Sequence, residues 1–269
     1  KILSGRIEKE AIIMKFAKTF TLLAGGAAMA LAANTNANAA TDLLVYTAVE
    51  ADELKGFKNA FEADNPGINI KWVRDSTGII TSKLLAEKEN PKADIVWGVA
   101  ATSLLLLSKH NYFQGYAPKG VEKLDKKYYD TKNKKPLWVG QRAWIASVCY
   151  NTVEAGKHKL PLPTSWADLT KPVYKGHVIM PNPNSSGTGF LDVSSWMQMQ
   201  GEEAAWKYMD ALHVNIARYT HSGSKPCKLA AKGEIPIGVS FAWGGAKAKN
   251  KGAPVEVIAP VEGVGWDLE

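Results

Sequence analysis

Short apolar runs alternate with longer segments of helical period over residues 42–97. Residues 42–47 (Asp-Leu-Leu-Val-Tyr-Thr) are rich in β-formers and predict a buried strand. Leu54, Phe57, Ala60 and Phe61 recur three or four positions apart among charges. Residues 50–65 therefore predict an amphipathic helix, which Pro66-Gly67 ends. Residues 68–73 alternate as Ile-Asn-Ile-Lys-Trp-Val and predict a second strand. Residues 81–89 predict another helix, and residues 93–97 a third strand. Strands alternating with helices predict a parallel sheet and an α/β fold.

Beyond a polar middle stretch, residues 144–150 (Trp-Ile-Ala-Ser-Val-Cys-Tyr) predict a strand long enough to leave one domain and enter another. Residues 161–169 read as a Pro-rich turn leading to a Ser- or Thr-capped helix. A strand at 177–180, helices at 190–199, 202–212 and 227–232, and strands at 235–239 and 255–258 complete the pattern. The Lys run at 119–135 is broken by Glu122, Asp125 and Asp130. It predicts a solvated helix face rather than a nucleic-acid patch.

The first 39 residues change the picture of what is exported rather than of the fold. Met14 opens a basic segment, residues 21–33 are apolar and small, and Ala37-Asn38-Ala39 is a small-x-small triplet. That is the pattern of a cleaved secretory signal, cut between Ala39 and Ala40, with residues 1–13 lying upstream of the natural start. The formal charge of +7 falls to +4 once the five basic and two acidic residues of 1–39 are set aside. So mild an excess supports only a weak bias toward anionic ligands. Export also places Cys149 and Cys227 in an oxidising space. They can bridge there, or remain two separate buried thiols.

Candidate chemistry sits in three loops at strand-to-helix joins. Residues 182–189 (Asn-Pro-Asn-Ser-Ser-Gly-Thr-Gly) place the hydroxyls of Ser185, Ser186 and Thr188 beside a helix start. Gly187 and Gly189 let backbone come close to a bound group. Free N–H groups, hydroxyls and the positive end of a helix dipole together make an anion site. No Lys follows the glycines, so this is not a nucleotide P-loop. Asp75-Ser76-Thr77-Gly78 repeats the theme and adds a carboxylate. His221-Ser222-Gly223-Ser224 repeats it again. An ordinary capped helix explains any one of these loops, but three of them in an exported α/β chain favour a ligand cleft. In such sheets ligands bind beyond the C-terminal strand ends. Thr47 to Glu50 and Trp97-Gly98 occupy two more such positions. The His residues show no metal spacing, and no Gly-x-Ser-x-Gly, HExxH or CxxC occurs, so neither an enzyme nor a cofactor is expected.

Taken together, Val45 to Glu50, Asp75 to Gly78, Ala93 to Gly98, Asn182 to Gly189, Ser222 to Ser224 and Gly263 to Glu269 resemble the periplasmic solute-binding proteins of ABC importers. The branch they look most like is the 2-aminoethylphosphonate-binding proteins, inside the ferric-iron-binding-like group. The resemblance implies a type II periplasmic binding fold of two α/β lobes. It places lobe 1 at residues 40–144, with 255–269 returning to it, and lobe 2 at 145–254. It also implies that such chains run on past Glu269, so that the C-terminal part of the fold is missing here. The implied partners are a small phosphonate and permease subunits, with no nucleic acid, for a monomer in the periplasm. Iron-holding relatives carry adjacent tyrosines where this chain has Phe241-Ala242-Trp243, which disfavours ferric ion. The implied phosphonate contacts are Ser186, Gly187, Thr188, Ser222 and Ser224, with Thr47, Ser76 and Thr77 alongside. For the ammonium, Asp75 is the first choice and Glu50 the second. Trp97, Phe241 and Trp243 are candidates for an aromatic face.

Overall fold

The computed structural model describes residues 40–269. The signal segment and its cleavage point therefore lie outside the described residues. The first part builds a parallel sheet from β1 (Thr41–Thr47), β2 (Ile68–Arg74) and β3 (Ile95–Trp97), in the order β2-β1-β3. Helices α1 (Ala51–Asp64), α2 (Thr77–Ala86) and α3 (Ala101–Lys109) follow these strands in turn. Tyr46, Ile80, Leu84, Val99 and Leu107 form the core here. Helix α2 begins four residues earlier than the periodicity of 81–89 predicts, which puts Ser76 at its N-cap. Its apolar residues lie all around it, so they carry little phase information.

The Lys-rich stretch corrects its expectation. In place of a helix it holds two single 3₁₀ turns, Val121–Lys123 and Lys126–Tyr128, and Tyr129 bridges to Val139. Closely spaced lysines repel one another, and no apolar stripe pays for holding them on a helix.

β4 (Ala143–Asn151) opens the larger sheet. After it come α4 (Thr152–Lys157), β5 (Val178–Pro181), α5 (Gly187–Gln200), α6 (Glu202–His213), β6 (Ile216–Thr220), α7 (Lys225–Ala231), β7 (Ile237–Phe241), α8 (Ala242–Asn250), β8 (Val255–Ile258) and β9 (Trp266–Leu268). The strand order is β6-β5-β7-β4-β8. β5 runs parallel to β6 and β7, whereas β4 is antiparallel to β7 and β8. The core lies between this sheet and α5–α6, where Trp166, Trp196, Tyr174 and Leu169 are buried. The Ser- or Thr-capped helix expected after the Pro-rich segment is instead a single 3₁₀ turn, Ala167–Thr170, with Trp166 at its N-cap position. The Asp168 carboxylate accepts the Thr164 and Ser165 amides there.

β8 corrects the expected boundary. Val255 to Ile258 pair with Val148 to Asn151 and so complete the larger sheet rather than returning to the first lobe. The return comes later, at β9, which pairs with the first three residues of β4. From β9 the Asp267 carboxylate accepts the Thr102 hydroxyl of α3 at 2.9 Å. β9 thus ties the larger sheet, through β4, to α3 of the first part. Cys149 of β4 and Cys227 of α7 form a disulfide, with Cα atoms 5.4 Å apart.

Candidate ligand-binding cleft

Loops from both sheets converge at the C-terminal ends of their parallel strands. The joins β1–α1, β2–α2, β5–α5, β6–α7 and β7–α8 all open onto one cleft of about 240 Å³. Its lining brings together nine of the residues that the sequence singles out: Glu50, Ser76, Thr77, Ser186, Gly187, Thr188, Ser222, Ser224 and Phe241. Trp243 lines it as well.

Each donor loop is set by local chemistry. Ser186 caps α5 by accepting the Gly189 amide at 3.3 Å, while the first amides of the helix have no intrahelical partner. Ser76 caps α2 without using its hydroxyl on that helix. The Gly78 amide donates to the Ser185 carbonyl at 3.0 Å, joining the two loops across the cleft. Gly187 lies so close to Thr77 that a Cβ there would sit 2.9 Å from the threonine side chain. Ser222 and Ser224 share a hydrogen bond at 3.2 Å. Their loop is held from behind by the Ser240 hydroxyl, which donates to the Gly223 carbonyl at 2.6 Å.

Charged groups complete the cleft. The Glu50 carboxylate, on the first-sheet side, accepts from the Ser224 hydroxyl at 3.0 Å and from Lys228 at 2.7 Å, both on the other side. Arg74 lies 3.8 Å from the same carboxylate and donates its Nε–H to the Val49 carbonyl. Arg142, beside β4, pairs with Glu53 at 2.8 Å and with Glu269. Burial works against the Arg142 charge, but these two carboxylates outweigh it and raise the guanidinium above its ordinary range. Burial also pushes the Glu269 carboxyl up, partly offset by Arg142. Trp144 and Phe241 meet edge to face at 6.1 Å and form an apolar wall.

Three expected residues are placed elsewhere. Thr47 is fully buried, and its hydroxyl accepts the Val49 amide at 3.1 Å, so it shapes the β1–α1 turn. Trp97 stacks on Trp72 and meets Phe57 edge-on, away from the lining. Asp75 bonds His221 across the cleft mouth at 2.7 Å and accepts the Ser76 amide. Burial raises the Asp75 pKa, but these hydrogen bonds outweigh it and hold the carboxyl below its ordinary range.

The lining also includes residues that sequence reasoning passed over: Arg74, Arg142, Trp144 and Glu269. Arg74 had a signal, since it ends a parallel strand immediately before a donor loop. Arg142 and Glu269 come together only through the β4–β9 pairing, which no local pattern shows. Among the described residues, no group of three or more His, Cys, Asp or Glu side chains is disposed to hold a metal ion.

A family model described as bacterial extracellular solute-binding protein matches residues 90–265. An uncharacterized protein of Haemophilus influenzae is 30% identical over 262 residues, covering 95% of this chain and 74% of that protein. A probable ABC transporter periplasmic-binding protein of Sinorhizobium fredii is 28% identical over 267 residues, covering 95% of this chain and 69% of its own length. Among solved structures, the periplasmic binding protein AfuA of Actinobacillus pleuropneumoniae, with fructose-6-phosphate bound, superposes with a TM-score of 0.80. It is 28% identical, over 85% of this chain and 72% of that one.

Proposed function

The chain belongs to the bacterial extracellular solute-binding proteins, and from that premise we propose that its cleft captures a small organic anion ending in a phosphonate or phosphate group. The candidate ligand we place first is 2-aminoethylphosphonate. The observation that carries the reading is the convergence of the Ser-capped starts of α2 and α5 with the Ser222–Ser224 loop on one cleft. A phosphonate needs several short N–H and O–H donors, and charge-assisted hydrogen bonds of this kind are the strong ones. Thr77, Ser186, Gly187, Thr188, Ser222 and Ser224 supply them, with Arg74 as the adjacent cation. The ligand's ammonium falls to Glu50, which lines the cleft and would exchange Lys228 for it, rather than to Asp75, which stands outside the lining. Trp144, Phe241 and Trp243 then cover the carbon chain.

Ligand held between two lobes is buried by their closure, which marks the loaded form for the permease subunits of an importer. Export through a signal segment is part of the same proposal. No helix among the described residues is long and apolar enough to cross a membrane. A phosphorylated sugar is the second reading. A relative with fructose-6-phosphate bound supports it, as does the polar end of the cleft, where Arg142 and Glu269 suit hydroxyl groups. Iron is disfavoured by Phe241-Ala242-Trp243, which offers no phenolate.

Calorimetry against 2-aminoethylphosphonate, ethylphosphonate, phosphate, fructose-6-phosphate and Fe³⁺ tests the proposal. Tightest binding of 2-aminoethylphosphonate is expected. Preference for fructose-6-phosphate selects the second reading, and binding of Fe³⁺ alone rejects both.

A further inference from the structure

Asp192 is fully buried in α5, and neither of its carboxylate oxygens has a hydrogen-bond partner. It lies four residues after Thr188 and four before Trp196, so the three share one helix face. Side chains on a helix lean toward its N-terminus. The carboxyl group therefore sits one turn beneath the amides of Gly187 and Thr188, with the Cβ atoms of Asp192 and Thr188 about 5–6 Å apart. The Trp196 indole N–H on the same face is also buried without a partner.

No surrounding element supplies a compensating charge. Asp192 is the sole ionisable residue of α5. α6 contributes Tyr208, whose hydroxyl is spent on the Trp166 carbonyl. β4 contributes Tyr150, whose hydroxyl donates to the Leu160 carbonyl. β5 and β7 carry no ionisable side chain. Glu262, on the loop before β9, accepts the Trp166 and Ala167 amides. A buried carboxylate without a cation or donor is strongly disfavoured against its neutral acid.

We propose that Asp192 is held as an uncharged carboxylic acid beneath the anion-binding turn, and that its ionisation opposes anion capture. Asp192 stands outside the cleft lining and acts on the bound anion only through its charge, and the proposal rests on reading the cleft as an anion site. While the acid is neutral, a bound phosphonate or phosphate meets only donors. Once ionised, the carboxylate places a like charge one helical turn from the bound anion, in a poorly solvated interior. The coupling is reciprocal, so a bound anion also holds the proton on Asp192 more tightly. Burial pushes this carboxyl well above the ordinary carboxylate range, in keeping with that state.

The test uses the wild-type protein and Asp192→Asn, the neutral isostere. Infrared spectra of the wild type at neutral pH should show a protonated-carboxyl band that the variant lacks. Calorimetry with 2-aminoethylphosphonate, phosphate and fructose-6-phosphate should give equal affinities for the two proteins, within about twofold, at pH ~6. On titration to alkaline pH the wild type should come to bind about tenfold more weakly than the variant, over the same range in which its protonated-carboxyl band disappears, as a nearby like charge demands. Comparing the two proteins cancels the ligand's own titration. A ratio that stays flat with pH overturns the proposal, as does a tenfold loss in Asp192→Asn at pH ~6. Asp192→Ser serves in the same way if the Asn variant does not fold. If no probe binds the wild type, the anion reading of the cleft has failed, whereas a missing infrared band overturns the proposal whatever the ligand.

Discussion

At the scale of single residues, the cleft separates side chains that contact a ligand from side chains that shape the loops. Thr188 and Ser224 line the proposed anion position, and Ser224 would turn its hydroxyl from the Glu50 carboxylate to the ligand. Thr188→Ala and Ser224→Ala should each weaken binding by about 1–3 kcal/mol, the range for hydrogen bonds to charged groups. Calorimetry should show the same loss for amino and non-amino phosphonates. Glu50 and Asp75 are separated by a second comparison. Glu50→Gln should weaken 2-aminoethylphosphonate and leave ethylphosphonate unchanged or tighter, because Lys228 and Arg74 lose their carboxylate partner. Asp75→Asn should leave the ratio of the two affinities unchanged, since its partner is His221. A changed ratio in Asp75→Asn returns the ammonium to that residue.

At the scale of elements, the two sides approach each other where α2 and α5 begin. The contact between Gly187 and Thr77 leaves no room for a Cβ. Gly187→Ala should therefore hold the helix starts apart and lower affinity at least tenfold, with the melting temperature nearly unchanged. A normal affinity in that variant would show that the loops need not meet. The disulfide ties β4 to α7, the helix that follows the Ser222–Ser224 loop. It closes a loop spanning 78 residues, which in the chain-entropy model contributes on the order of 4 kcal/mol. Replacing both cysteines by serine should lower the melting temperature clearly and loosen anion binding. Two free thiols titrated in non-reducing denaturant would remove the basis for this expectation.

At the scale of the whole molecule, exposed ion pairs span the two sides: Asp75–His221 at 2.7 Å, Asp52–Lys247 at 2.6 Å and Glu50–Lys228 at 2.7 Å. Each is individually weak, but acid acts on them together. The hydrogen bond from Lys247 lowers the Asp52 pKa, with burial opposing it. The Asp75 carboxyl is lowered as well. A carboxyl depressed in the closed form favours closure above its ordinary pKa and loses that contribution as pH falls through the depressed value. The lobes should thus stay closed at neutral pH and open below the usual carboxylate range. Small-angle scattering should show the radius of gyration rising there, ahead of loss of far-ultraviolet circular dichroism. A radius that stays constant until the chain unfolds would show that the pairs do not govern closure.

Much of the α/β layout is local in origin and was legible from the chain alone. Apolar runs of β-formers mark β1, β2, β4 and β8, and the three-four spacing marks α1 and α6, because burial of one face dictates those periods. Elements with no such face were invisible. β6 exposes Ala217, Arg218 and Tyr219 at a sheet edge, and α8 carries Gly244-Gly245 in its first turn, a pair that reads as loop. The donor loops were legible too, because hydroxyls and glycines at a helix start have one chemistry wherever they fold. What only the tertiary structure decided is which charges face them. Arg142 and Glu269 are 127 positions apart and meet because β9 pairs with β4. Asp75 stands beside the cleft rather than in it because His221, 146 positions away, is folded against it. Charge partners at that separation are set by strand pairing and lobe packing, and no pattern of neighbouring residues encodes them.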